Sequence, residues 1–254
     1  MSRNFELLQK LGKEQDMYST ETEPIAAPEP VEFRSVEVTA PQLEMQPAQR
    51  DELTKLVQRL FLATGAEASR VVVVASMEAG SGSSWICARM AETLASQISA
   101  SVCVVDANLG SPSLHRQFLV ENHHGLSDAL RDASPVRQFI GRVRRENLWL
   151  LSCGAESSNW QTLVGSDRMR MRIAELRQEF DYVLIDAPAL NTSNDAVMLG
   201  CAADGVALVL KANSSRRETA RKAMHELERA KIKVLGAVLN QRTFPIPQGI
   251  YDRL

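Results

Sequence analysis

Apolar residues along this chain recur with two periods, and the two alternate. Apolar runs at residues 71–75, 102–105, 147–151 (opening on Asn147), 182–185, 205–210 and 234–239 have the length of strands and read as strands buried on both faces. Between them, apolar positions return at three- and four-residue spacing. Leu53, Leu56, Val57, Leu60 and Phe61 do so within 51–64, Ile86, Met90, Ala91 and Leu94 after the first strand, and further helices are expected over 166–180 and up to about residue 230. The last of these opens on Ser215-Arg216-Arg217-Glu218, which fits a capping box, and a short helix is expected to start within Gly125-Leu126-Ser127-Asp128-Ala129-Leu130. Strands alternating with helices predict an α/β fold, a doubly wound, mostly parallel sheet with helices on both faces.

The pattern fades toward both ends. Residues 1–17, with Phe5, Leu7, Leu8 and Leu11, predict a short amphipathic helix that is marginal by itself. Pro24, Pro28, Pro30, Pro41 and Pro47 follow, and the first 50 residues hold nine acidic against five basic side chains. Such a stretch buries too little apolar surface to order itself, so it reads as a tether. The expected organisation is therefore a helix plus tether over 1–49, one α/β domain over 50–243, and a tail over 244–254.

Charge and cysteine content narrow the function classes. A net charge of −2 and a pI near 6.1 give no global drive toward nucleic acid or an anionic membrane. The basic residues Arg216, Arg217, Arg221, Lys222 and Arg229 are interleaved with Glu218, Glu226 and Glu228, the pattern of a solvated helix face. No apolar run approaches the ~18 residues of a membrane span, and the opening residues lack the apolar core of a secretory signal. Cys87, Cys103, Cys153 and Cys201 form no close pair and read as free buried thiols in a reducing cytoplasm. His115, His123 and His124 lack metal-ligand spacing and read as loop surface.

The chemistry concentrates after the first strand. Gly80-Ser81-Gly82-Ser83-Ser84 joins that strand to a helix, and strand, glycine loop and helix N-terminus together make a phosphate cradle. Where the phosphate-loop pattern requires lysine, between the last glycine and the Ser/Thr, this chain has Ser83. Two other strands end on Asp106 and Asp186. Asp is depleted in strands, and the carboxyl ends of parallel strands form the ligand rim. Both carboxylates are therefore expected beside the glycine loop, in metal-directed roles.

These blocks, namely 75–84 (ASMEAGSGSS), 102–115 (VCVVDANLGSPSLH) with 125–130 (GLSDAL), 181–190 (DYVLIDAPAL) with Asp195, and 234–242 (VLGAVLNQR), resemble the cytoplasmic domain of the bacterial tyrosine autokinases of capsule and exopolysaccharide biosynthesis. These kinases are cousins of the Min D and Par A deviant-Walker ATPases. The resemblance covers about residues 50–243 and implies a P-loop NTPase-like fold that takes ATP or ADP with Mg2+. It assigns Gly80, Ser81, Gly82, Ser83 and Ser84 to phosphate binding, Ser84, Asp106 and Asp186 to the metal, Asp106 and Asp186 to catalysis, and Asn240 to the base. The chain departs from the family pattern at Ser83 for lysine, Asn108 for a second aspartate and Gly110 for arginine. Lys55 and Gln58 stand after Glu52 where a self-association helix carries arginines. Of Tyr18, Tyr182 and Tyr251, only Tyr251 lies in the tail as a possible phosphoacceptor.

The resemblance thus implies a regulator of polysaccharide assembly with weak or lost autophosphorylation. An active tyrosine kinase is the alternative, and a Par A- or Min D-like positioning ATPase the weaker one. The expected partners are a membrane chain-length or co-polymerase-type protein, a second copy, or an active kinase homologue, with no nucleic acid. The expected location is the cytoplasm, at the inner face of the membrane.

Overall fold

The structure is a computed structural model and describes residues 45–62, 68–155, 160–212 and 217–241. The helix expected over 1–17, most of the tether, the Ser215 cap and the tail with Tyr251 lie outside the described residues. In chain order the elements are α1 (Pro47–Phe61), β1 (Val71–Ser76), α2 (Ser83–Gln97), β2 (Val102–Asp106), α3 (Leu114–Phe118), α4 (Leu126–Ala129), a 3-10 turn (Val136–Phe139), β3 (Gly141–Arg142), β4 (Leu148–Leu151), α5 (Trp160–Val164), α6 (Asp167–Glu179), β5 (Tyr182–Asp186), α7 (Asp195–Cys201), β6 (Gly205–Lys211), α8 (Arg217–Arg229) and β7 (Val234–Asn240). The first helix begins four residues before the expected Asp51. Pro47 sits in its first turn, where a missing N–H costs nothing, and Gln49 accepts a hydrogen bond from the Gln46 N–H (3.1 Å).

The strands form one seven-stranded sheet in the order β3-β4-β2-β5-β1-β6-β7. Every pairing is parallel except that of the two-residue β3 with β4. That edge strand went unforeseen, because two residues carry no periodicity. All six residues of β1 are buried, and their side chains alternate between two cores. Val72 and Val74 face α1 and α2, through Leu53, Val57, Phe61, Met90 and Leu94. Val71, Val73 and Ala75 face the opposite layer, with Ile173 and Leu176 of α6, Leu199 of α7 and Leu227 of α8. Half-buried Tyr182 packs edge-on against Phe61 with ring centroids 5.8 Å apart.

The connection leaving β1 covers one face of the sheet and that leaving β5 covers the other, so the winding reverses between these neighbours. The crevice beyond their carboxyl ends is where a doubly wound sheet takes its ligand. The Gly125 segment closes one flank of this rim. Leu126 and Ser127 N–H groups donate to the carbonyls of Ser152 (2.7 Å) and Cys153 (2.9 Å), and Asp128 accepts from the Gly125 N–H (2.9 Å). The approach leaves no room for a side chain, since a Cβ at Gly125 would lie 2.1 Å from the Ser152 carbonyl oxygen. Backbone against backbone cannot give way cheaply. Gly125→Ala is therefore expected to destabilise the protein by about 2–3 kcal/mol, read as a lowered midpoint in urea unfolding, whereas Ala129→Gly costs about 1 kcal/mol.

Candidate functional site

Residues 77–82 connect β1 to α2 by a turn that only glycine makes easily. Gly80 and Gly82 have φ of +77° and +81°, a region where a side chain is strained. With those two residues in the left-handed region, the loop curls under the first turn of α2. Three of its carbonyls are held outward: Ser81 Oγ donates to the Glu78 carbonyl (2.7 Å), Gln241 Nε2 to the Gly80 carbonyl (3.1 Å) and Asn240 Nδ2 to the Ser81 carbonyl (2.9 Å). Among the described residues, the N–H groups of residues 79–84 make no backbone hydrogen bond. Donors left open around a helix N-terminus are the arrangement that receives a phosphate. Ser83 and Ser84 open α2 and are half-buried.

Asp106 and Asp186 stand opposite one another in the register of β2 and β5, on the face covered by α2. Both are completely buried. One Asp106 oxygen accepts from the Ser113 and Leu114 N–H groups (2.9 Å each), so this carboxylate also fastens the loop ahead of α3. Its other oxygen and both oxygens of Asp186 lack a hydrogen-bond partner among the described residues. Burial pushes the Asp106 carboxyl up to about 6 against the pull of the Leu114, Ser113 and Asn108 N–H groups and Arg116. Burial, then the charge of Asp106, holds Asp186 well above the usual carboxylate range, and the Ser84 hydroxyl opposes this only in part. Beneath them lies Cys87, a buried thiol pushed up by burial and by both carboxylates.

Three unpaired buried carboxylate oxygens beside a serine hydroxyl and open N–H groups fit a hard divalent cation carried in with phosphates. Such a cation is commonly held by one or two carboxylates and the phosphates themselves. The fit is incomplete in charge: Ser83 brings no cation to the cradle. Asp195, also buried, accepts from Ser193 (3.0 Å) in the first turn of α7 and is raised by its burial.

Several expectations take a different form. Asn240 reaches the rim, but its amide nitrogen is spent on the Ser81 carbonyl. His115 is not loop surface: it is half-buried in α3 with its Nδ1 enclosed and without a partner among the described residues, while His123 and His124 are exposed as expected. Cys201 is exposed, in contrast to the other three cysteines. Gly110 faces the Trp160 ring, to which a Cβ would come within 2.8 Å, so an indole occupies space beside the expected arginine position. Sequence reading missed Gln241 and Trp160. Gln241 lies within the 234–242 block but had no role assigned, Trp160 lies in no motif, and both reach the site from distant parts of the chain. Between α1 and β7 runs a groove of about 870 Å3, walled by Leu56, Arg59, Trp85, Leu239 and Asn240, and lined by neither the glycine loop nor the carboxylates.

A buried, unpaired carboxylate strains the empty fold. A carboxyl with a folded pKa above its unfolded value binds a proton that the unfolded chain has lost, so its contribution to stability falls as pH rises. For Asp106 that window runs from about 4 to about 6. Asp186→Asn removes one charge of the pair. It is expected to raise ligand-free stability at pH 7.5 by about 1–3 kcal/mol, with the gain shrinking as pH approaches 4, measured by urea unfolding across pH.

A family model described as NUBPL iron-transfer P-loop NTPase, of the ParA group, matches residues 67–250. The tyrosine-protein kinase YwqD of Bacillus subtilis is 32% identical over 169 residues, spanning 66% of this chain and 71% of YwqD. The putative tyrosine-protein kinase CapB of Staphylococcus aureus is 31% identical over 170 residues, 67% of this chain and 74% of CapB. Among solved structures, the chimerical protein CapA2B2 superposes with a TM-score of 0.72 at 25% identity, covering 78% of this chain and 87% of that one. The glycine loop, the paired strand-end aspartates and these likenesses agree: the chain belongs to the ParA-type P-loop NTPases, in the branch of the bacterial tyrosine-protein kinases.

Proposed function

We propose that this chain is a nucleotide-binding regulator of capsule or exopolysaccharide assembly, built on the tyrosine-kinase fold but with phosphoryl transfer weak or lost. The observation that carries the reading is Ser83 at the head of a cradle whose two glycines take the left-handed turn and whose N–H groups stand open. A lysine there supplies charge-assisted hydrogen bonds worth roughly 1.5–3 kcal/mol. As a preorganised donor to charge that develops in the transition state, it is worth on the order of 10²–10³ in rate. Phosphoryl transfer relies almost entirely on such positioning and electrostatics. Serine offers one neutral hydrogen bond and a shorter reach. Binding leans instead on N–H donors and a metal ion, and those requirements the loop, Ser84, Asp106 and Asp186 still meet.

In this reading Gly80, Ser81, Gly82, Ser83 and Ser84 hold ADP or ATP phosphates, while Ser84, Asp106 and Asp186 hold Mg2+. Asn240, whose nitrogen is committed to Ser81, offers its oxygen as acceptor to a base amino group. Lys211, in register with Asn240 at the end of β6, is a candidate cation for the place Ser83 leaves uncharged. Residues 50–243 act as the nucleotide domain, 1–49 as a tether, and 244–254 as a tail whose Tyr251 is the candidate phosphoacceptor. The partners are a membrane chain-length protein at the inner face of the membrane and a kinase of the same family. No helix among the described residues is long and apolar enough to cross a membrane, and recruitment is assigned to the membrane partner.

Incubation with Mg-ATP followed by phosphotyrosine mass spectrometry tests the reading. The native chain is expected to label weakly or not at all, and Ser83→Lys to raise phosphoryl transfer by about 10²–10³, an increase that a further Asp186→Asn removes. Native labelling that Ser83→Lys leaves unchanged establishes an active kinase with a cation from elsewhere.

A further inference from the structure

Contact with a base does not require what Asn240 and Gln241 do here. Their amide nitrogens donate to two successive carbonyls of the glycine loop, Ser81 at 2.9 Å and Gly80 at 3.1 Å. We propose that Asn240 and Gln241 are positioning residues, a two-amide clasp that holds the glycine loop in its anion-accepting shape before any anion arrives. The inference rests on the phosphate-loop reading above and assigns these residues a task separate from base contact.

The reason lies in the loop's composition. Converging N–H groups require the intervening carbonyls to point away, and a Gly-Ser-Gly turn left to itself samples many other shapes. Ser81 Oγ fixes only the near side, through the Glu78 carbonyl. The far side is fixed from 159 and 161 residues away in sequence, by the end of edge strand β7. A carbonyl can only accept, so the Ser81 bond also sets which end of the Asn240 amide faces the loop. Gln241 occupies the left-handed region (φ +56°) where side chains are uncommon, and from there it reaches Gly80. Gly82 fits the same account. Besides its positive φ, a Cβ at this residue would stand 2.6 Å from Asn240 Nδ2, so glycine makes room for the clasp. With Ser83 bringing no charge to fasten the phosphates, the preset shape of the backbone carries more of the binding.

The test uses the full chain and the variants Asn240→Leu, Gln241→Ala and the double substitution. Gln241 is exposed, so Gln241→Ala keeps the test open if Asn240→Leu impairs folding. Backbone 15N relaxation of the ligand-free protein reads the loop directly. The native residues 80–82 are expected to have order parameters near 0.85 and the double variant values below about 0.6, with β2 and β5 unchanged. Titration with Mg-ADP and with tripolyphosphate, which has no base, separates the two roles. The clasp predicts that Gln241→Ala weakens both ligands by the same factor, roughly 2- to 10-fold, and that Asn240→Leu weakens tripolyphosphate by a like factor as well as ADP. Loss of ADP affinity alone, with tripolyphosphate binding and loop order unchanged, overturns the proposal and leaves Asn240 as a base contact only. If neither ligand binds the native chain, the phosphate-loop reading fails, and the ligand-free order parameters still decide for or against the clasp.

Discussion

The register between β2 and β5 is the constraint on which the site depends. It sets Asp106 and Asp186 side by side, wholly buried, under the first turns of α2. Two like charges in a dry place are unfavourable, and nothing among the described residues neutralises Asp186. The sheet tolerates this because the buried strands and two continuous cores hold the register in place. Relief must come from a proton or from a cation, which gives the empty fold an unspent affinity for positive charge at one point. Across the crevice, the loop's open N–H groups hold the complementary affinity for negative charge. A metal–phosphate pair satisfies both at once.

The lysine position is where the chain parts from that logic. In the proposed reading Ser83 leaves the metal side and the backbone donors intact and removes the charge that would follow the phosphates into the transition state. Binding and turnover draw on different groups here, so a chain can lose the second and keep the first. On the same rim the Trp160 ring packs against Gly110, where the resemblance leads us to expect an arginine.

Much of this was legible in the sequence because it is local. Uninterrupted Val and Leu runs gave strands within a residue or two of their observed ends, and the strand-ending Asp106 and Asp186 reached the rim together because parallel strands all end on one side. What could not be read was produced by chain reversal and distance. The antiparallel β3 is two residues long. His115 reads as a loop residue until α3 folds back and encloses it. Asn240 was visible as a rim residue, yet its bond to Ser81, and the very presence of Gln241 on Gly80, depend on where an edge strand stops relative to a loop about 160 residues earlier.

The central claim is that the cradle is still a nucleotide site although its lysine is gone. Calorimetric titration of the native chain with Mg-ADP at pH 7.5, alongside Asp186→Asn and Ser83→Lys, addresses it most directly. The account predicts saturable binding by the native chain that Asp186→Asn abolishes. No binding by the native chain, with binding restored by Ser83→Lys, would contradict it and leave a fold whose remaining work is to hold its partners.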